Sequence, residues 1–152
     1  MHADLHLHTT YSDGTNTPAE LCNLAKDNNI KVISITDHDS VNGIKAILSE
    51  DVPREINIIP GIELSIFNNG KMIHILGYYI DIYNAKIDNF IKQMSDEITK
   101  STKVNFDRAK ERNVFDYSWE RVLKLNPGLT RVSGNNVIKA MKLDNYTPLV
   151  QA

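Results

Sequence analysis

The run His2-Ala3-Asp4-Leu5-His6-Leu7-His8 constrains the fold of this chain more than any other stretch. Its period of two makes sense in an extended strand, where His2, Asp4, His6 and His8 share one face and Leu5 and Leu7 lie on the other. Three imidazoles and two carboxylates fall between His2 and Asp13 in a chain with 5 histidines. A face bearing His6 and His8 together is a two-toothed grip for a divalent cation, because neutral imidazole and carboxylate are ligands for zinc, iron and manganese alike. A solvated tail or tag remnant would lack the apolar face expected of Leu5 and Leu7.

After the Ser12-Asp13-Gly14 turn, Thr17-Pro18-Ala19-Glu20 is a capping box with proline at the first helical position. The helix it opens is expected to run to about Asn29, with Leu21, Leu24 and Ala25 on one face. Lys31 to Thr36 is a β-branched run suited to a buried strand that empties into Asp37-His38-Asp39. A helix from Asn42 to about Glu50, then Pro53, then the apolar run Ile56 to Leu64, completes a strand, helix, strand, helix, strand order. That order predicts a parallel sheet, whose chemistry gathers at the carboxyl ends of its strands. Asn68-Asn69-Gly70 is a hairpin-type turn, and Lys71 to Tyr79 is the returning strand.

From Ala85 the apolar spacing becomes helical. A long helix is expected over 85–112, a shorter one capped by Ser118 and ended by Asn126-Pro127-Gly128, and a third over 133–143. The boundary falls near Tyr83-Asn84, separating an α/β part at 1–84 from a helical part at 85–152.

The chain has 152 residues, 41% hydrophobic and 24% charged, the composition of a globular protein able to bury a core. Its 17 basic and 19 acidic residues give a net charge of −2, which offers no global attraction to nucleic acid or membrane. A single cysteine, Cys22, rules out a disulfide framework within the chain and reads as a small buried hydrophobe in a reducing compartment. No stretch reaches the roughly eighteen apolar residues of a membrane span, so a cytoplasmic protein without membrane partners is expected.

His6, His8, Asp13, Asp37, His38, Glu63 and His74 together are the residue types that hold two or three divalent ions in one site. Such sites hydrolyse phosphate esters. Each also has a plainer reading. His74 suits a buried histidine with one hydrogen bond, Asp37 a turn cap, Asp39-Ser40 the cap of the next helix, and Glu63 a paired surface carboxylate.

The stretches Asp4-Leu5-His6-Leu7-His8-Thr9-Thr10-Tyr11-Ser12-Asp13-Gly14, Ile35-Thr36-Asp37-His38-Asp39, Pro60-Gly61-Ile62-Glu63-Leu64-Ser65 and His74-Ile75-Leu76-Gly77-Tyr78 resemble, in that order, the PHP (polymerase and histidinol phosphatase) family. The resemblance implies an α/β fold, the first half of a distorted seven-stranded β/α barrel with about four strands, followed by an α-helical insertion. It is strongest to the branch that dephosphorylates nucleoside 3′,5′-bisphosphates and trims short RNA from the 5′ end. By that resemblance His6 and His8 share one metal with Glu63, Glu63 bridges to a second held by His74, and Asp13 and His38 serve a third. Asp37 then orients an imidazole or binds weakly, and Arg131, in Leu129-Thr130-Arg131, holds the substrate phosphate as a two-pronged donor. Val132-Ser133 stands where the branch has Pro-His, and a surface ion pair is the plainer role for Arg131.

The expected activity is that of a hydrolase, a phosphatase releasing phosphate from a nucleotide or short oligonucleotide by metal-activated water, with manganese, iron or zinc as cofactor. The alternative is a truncated fragment that binds metal without turnover, since the branch draws further ligands from His-Pro and Gly-Ser-Asp-x-His segments and no histidine follows His74 here. A histidinol-phosphate-type phosphatase or a polymerase-associated nuclease is a third reading. Four strands of a barrel leave an open edge, which predicts a homo-oligomer or association with a missing carboxyl-terminal half.

Overall fold

The computed structural model describes residues 2–49, 55–69 and 71–147. Two compact units divide the chain, residues 1–94 and 95–152, so the division falls inside a helix. The first unit contains β1 (His2–Leu7), α1 (Pro18–Asp27), β2 (Ile30–Ile35), α2 (Asn42–Leu48), β3 (Asn57–Asn68) and β4 (Lys71–Tyr78). The sheet order is β1-β2-β3-β4; the first three strands are parallel and β4 returns antiparallel to β3.

Local chemistry explains these elements. Thr17 accepts from the Glu20 amide at 3.3 Å while the Thr17 amide donates to Glu20 Oε2 at 2.7 Å, the reciprocal bonds of a capping box. Pro18, Leu21, Cys22 and Ala25 form the buried face of α1, whereas Leu24, expected there, is 46% exposed. The isoleucines and valine of β2 suit a pleated, covered surface, and Ile33 and Ile35 are fully enclosed beside Ile44, Ile47 and Ile62. α2 is shorter than expected, and the expected continuation at Glu50 and Pro53 lies outside the described residues, as does Gly70 of the predicted turn.

Two expectations for this unit are corrected. Leu5 is 39% exposed, because β1 ends the sheet and only Leu7 of the pair packs against the core. Asp39 does not cap α2. It is fully buried at φ 46°, and its Oδ1 accepts the Ser65 amide of β3 at 2.8 Å. The Asn42 amide turns instead to Ser40 Oγ.

The sheet is strongly curled. Three flat strand spacings would set β1 and β4 about 14 Å apart, yet the Tyr78 hydroxyl of β4 donates to the Leu5 carbonyl of β1 at 2.9 Å.

α3 (Ala85–Glu111) crosses the division between the units. In the second, α4 (Trp119–Lys124) is capped by Ser118 Oγ, which accepts the Arg121 amide at 3.2 Å, and α5 (Gly134–Leu143) begins after Ser133. Phe106, Tyr117, Val122, Val132, Val137, Ala140 and Met141 form the core of that unit.

Candidate metal centre

Glu63 stands at the centre of the first unit's histidines. It sits in mid-β3 with 6% of its surface exposed, and the β2 extension reaches it through backbone bonds from the Glu63 amide to the Asp37 carbonyl and from the Asp39 amide to the Glu63 carbonyl. Antiparallel pairing puts Glu63 and Ser65 on the same face as Leu76 and His74 of β4. The alternation of β1 brings His6 and His8 to that carboxylate.

His6 Nε2 and His8 Nε2 each lie 3.0 Å from Glu63 Oε2, His38 Nδ1 lies 3.5 Å from the same oxygen, and His74 Nδ1 lies 2.8 Å from Oε1. Asp13 joins from the loop after β1, 3.4 Å from His8 Nδ1 and 3.7 Å from His38 Nε2. Burial disfavours ionisation of Glu63, but the His6 hydrogen bond and the neighbouring His38, His8 and His74 outweigh it, so its carboxyl sits below the ordinary value.

Among the described residues, six thus make three overlapping triads: His6, His8 and Glu63; His8, Asp13 and His38; His38, Glu63 and His74. Within each, one ligand atom per residue lies within 4.8 Å of the others. His8, His38 and Glu63 each serve two triads.

The chemistry of this donor set fits a polynuclear divalent centre. Successive rings from His6 through His8 and His38 to His74 have centroids 5.0, 4.6 and 4.7 Å apart. Protonated, four such rings would repel one another; neutral, they offer ring nitrogens that with two carboxylates balance cationic charge.

The other predicted residues, Asp37 and Arg131, belong to none of these triads. Asp37 is fully buried, and its oxygens accept bonds from Thr9 and Ser12. Arg131 belongs to the second unit, 8% exposed, just before α5. Sequence reasoning overlooked Tyr78, although its position four residues after His74 puts it on the same strand face. It also gave Thr9 no role of its own and placed Ser12 only in a turn, where hydroxyls beside a ligand-rich strand were the available signal.

Known proteins resemble this chain in sequence and fold. A 5′-3′ exoribonuclease Rnm from Salmonella typhimurium is 34% identical over 128 residues, spanning 82% of this chain and 43% of that protein. A 3′,5′-nucleoside bisphosphate phosphatase from Chromobacterium violaceum is 33% identical over 78 residues, spanning 51% of this chain and 27% of the relative. The chain therefore spans less than half the length of these curated relatives. A crystal structure from Bifidobacterium adolescentis, described as a candidate metal-dependent phosphoesterase, shares the fold at a TM-score of 0.80 and 21% identity, over 95% of this chain and 51% of that one. Residues 4–140, from the first acidic residue of β1 into α5, match the PHP domain, and the ligand-bearing strands fall inside that match; the chain belongs to the PHP domain family.

Proposed function

We propose that this chain carries the amino-terminal ligand set of a metal-dependent phosphoesterase that releases phosphate from a nucleotide or short oligonucleotide. One observation supports the reading above others: four imidazoles, from β1, β4 and the segments that follow β1 and β2, converge on the single carboxylate of Glu63. His6, His8 and Glu63 would hold one ion, His38, Glu63 and His74 a second, and His8, Asp13 and His38 a third. Bound divalent ions supply charge neutralisation at phosphorus and lower the pKa of water. The protein's own part is to keep Glu63 ionised and to hold the rings in place from a curled sheet. The names of the exoribonuclease and bisphosphate phosphatase relatives favour a nucleotide or RNA substrate. The net charge of −2 disfavours long nucleic acid, which calls for a broad basic surface.

A second reading is a metal-binding segment without turnover, since the chain spans 43% of the exoribonuclease relative's length. Phosphate release from nucleoside bisphosphates, monophosphates and histidinol phosphate with added Mn²⁺ separates the two. Turnover from a bisphosphate that falls to background in His8→Ala supports the phosphoesterase. Metal uptake without turnover on any substrate supports the metal-binding segment, and faster release from histidinol phosphate would reassign the substrate. In the active case Arg131→Ala is expected to raise KM more than it lowers kcat, as for a residue that holds the ground-state phosphate.

A further inference from the structure

Asp37 is a buried carboxylate that the ligand set does not use. Its Oδ1 accepts the Thr9 amide at 2.7 Å and the Ser12 hydroxyl at 2.6 Å, and its Oδ2 accepts the Thr9 hydroxyl at 2.6 Å. The loop after β1 is closed by the same residues. The Thr9 carbonyl accepts the amides of Ser12 and Gly14, both at 3.0 Å, and Thr9 Oγ1 accepts the Tyr11 amide at 3.1 Å. Asp13 is therefore clamped between two residues that are themselves tied to Thr9. Ser12 Oγ also lies 3.5 Å from His8 Nδ1, beside the Asp13 carboxylate.

Two glycines show how closely this assembly is packed. A Cβ on Gly43 would lie 2.2 Å from Asp37 Oδ2 and 2.8 Å from Thr9 Oγ1, and one on Gly14 would lie 2.2 Å from the His8 carbonyl oxygen. α2 can thus approach the Asp37 carboxylate only where residue 43 has no side chain. The buried charge is satisfied by three charge-assisted bonds, each of which fixes part of residues 9–14.

We propose that Asp37 is a positioning residue: acting through Thr9 and Ser12, it holds the loop that delivers Asp13, and so governs the His8, Asp13 and His38 triad separately from the two triads built on Glu63. The geometry supports that separation. Glu63 is anchored by backbone bonds to Asp37 and Asp39, which a side-chain substitution at Asp37 leaves in place, whereas the loop that carries Asp13 is tied through Thr9 and Ser12 to the Asp37 carboxylate. This inference rests on the metal reading of the site and deepens it by assigning one of the three ions a control of its own.

The test is stepwise Mn²⁺ binding to the full chain, followed by calorimetry and by metal counting after equilibrium dialysis, for the wild type, Ser12→Ala, Thr9→Val, Asp37→Asn and Asp13→Asn. Far-ultraviolet circular dichroism checks each fold. Ser12→Ala and Thr9→Val remove single hydroxyls and keep the test usable if Asp37→Asn does not fold. The expected result is a roughly 10- to 100-fold loss in one binding step, the scale seen when a group that orients a ligand is removed. That step is the one lost in Asp13→Asn, with the others retained, and Ser12→Ala combined with Asp13→Asn should be no worse at it than Asp13→Asn alone. Equal weakening of every step in a folded variant, or no weakening at all, overturns the positioning role while leaving the metal site intact. A folded wild type that takes up no Mn²⁺ overturns the metal reading and this role with it.

Discussion

Glu63 is the residue on which most of the site's geometry depends, since two of the three triads share it and four imidazoles lie within 3.5 Å of its oxygens. Glu63→Gln keeps the shape but removes the charge, so the metal-free protein should keep its fold while Mn²⁺ uptake falls by at least two binding steps; dialysis followed by metal counting reads this directly. Gly43 makes the opposite case, a residue with no chemistry whose absence of a side chain is structural. Gly43→Ala would push a methyl to within 2.2 Å of Asp37 Oδ2, and overpacking of this kind costs about 1–3 kcal/mol. Urea unfolding should register that loss. Alternate strand positions announced the shared face of His6 and His8, while Asp13, His38, Glu63 and His74 entered only through the joint pattern of residue types, which also drew in Asp37, a member of none of the triads. Asp39 was not, because its partner, the Ser65 amide, lies 26 residues away, and a local reading offers only the nearer role of helix cap.

At the scale of elements, the second unit is organised around a pair between α4 and the end of α5. Arg121 Nε and Nη2 donate to the two oxygens of Asp144 at 2.7 and 2.5 Å, and the Tyr117 hydroxyl donates to Asp144 Oδ2 at 2.7 Å. The Arg121 bond, then the Tyr117 bond, hold the Asp144 carboxyl down at about 2, and burial followed by the bond and charge of Asp144 push Tyr117 up to about 12. Asp144 therefore contributes fully above its unfolded value of about 4 and loses that contribution as pH falls towards 2. Tyr117 contributes fully below about 10 and loses it as pH rises towards 12. Trp119, the chain's one tryptophan, packs against this core and reports its unfolding. Melts followed by its emission should show wild type more stable than Asp144→Asn near neutrality, with the gap closing below pH 4. The caps made α1 and α4 readable from sequence, since Thr17 and Ser118 each accept an amide three residues on, whereas α5 was readable from its amphipathic spacing. Where the compact units divide, within α3, is set by tertiary packing that helical periodicity does not encode.

For the molecule as a whole, β4 poses the largest physical question. It ends the sheet order, and Met72, Ile73, Ile75, Leu76 and Tyr78 are each between 36% and 48% exposed, with apolar side chains on both faces of the strand. Natural edge strands are usually protected by charges, prolines or bulges. Along β4 the sole charged side chain apart from any charge on His74 is Lys71, there is no proline, and its eight-residue pairing with β3 runs without a register shift. A strand of this kind is a template for another strand, and the apolar area on its faces exceeds what scattered surface hydrophobes require. The expected outcome is self-association: light scattering at micromolar concentration should give a dimer or larger species. Replacing Ile73 and Ile75 with lysine, on the face opposite His74, should shift the population to monomer while Mn²⁺ uptake and Trp119 emission stay unchanged. A monodisperse wild-type monomer would refute association through β4. An oligomer indifferent to the lysines would move the contact to another surface, the groove of Leu7, Leu21, Leu24 and Ile30 at the β1 edge being the next apolar surface to test.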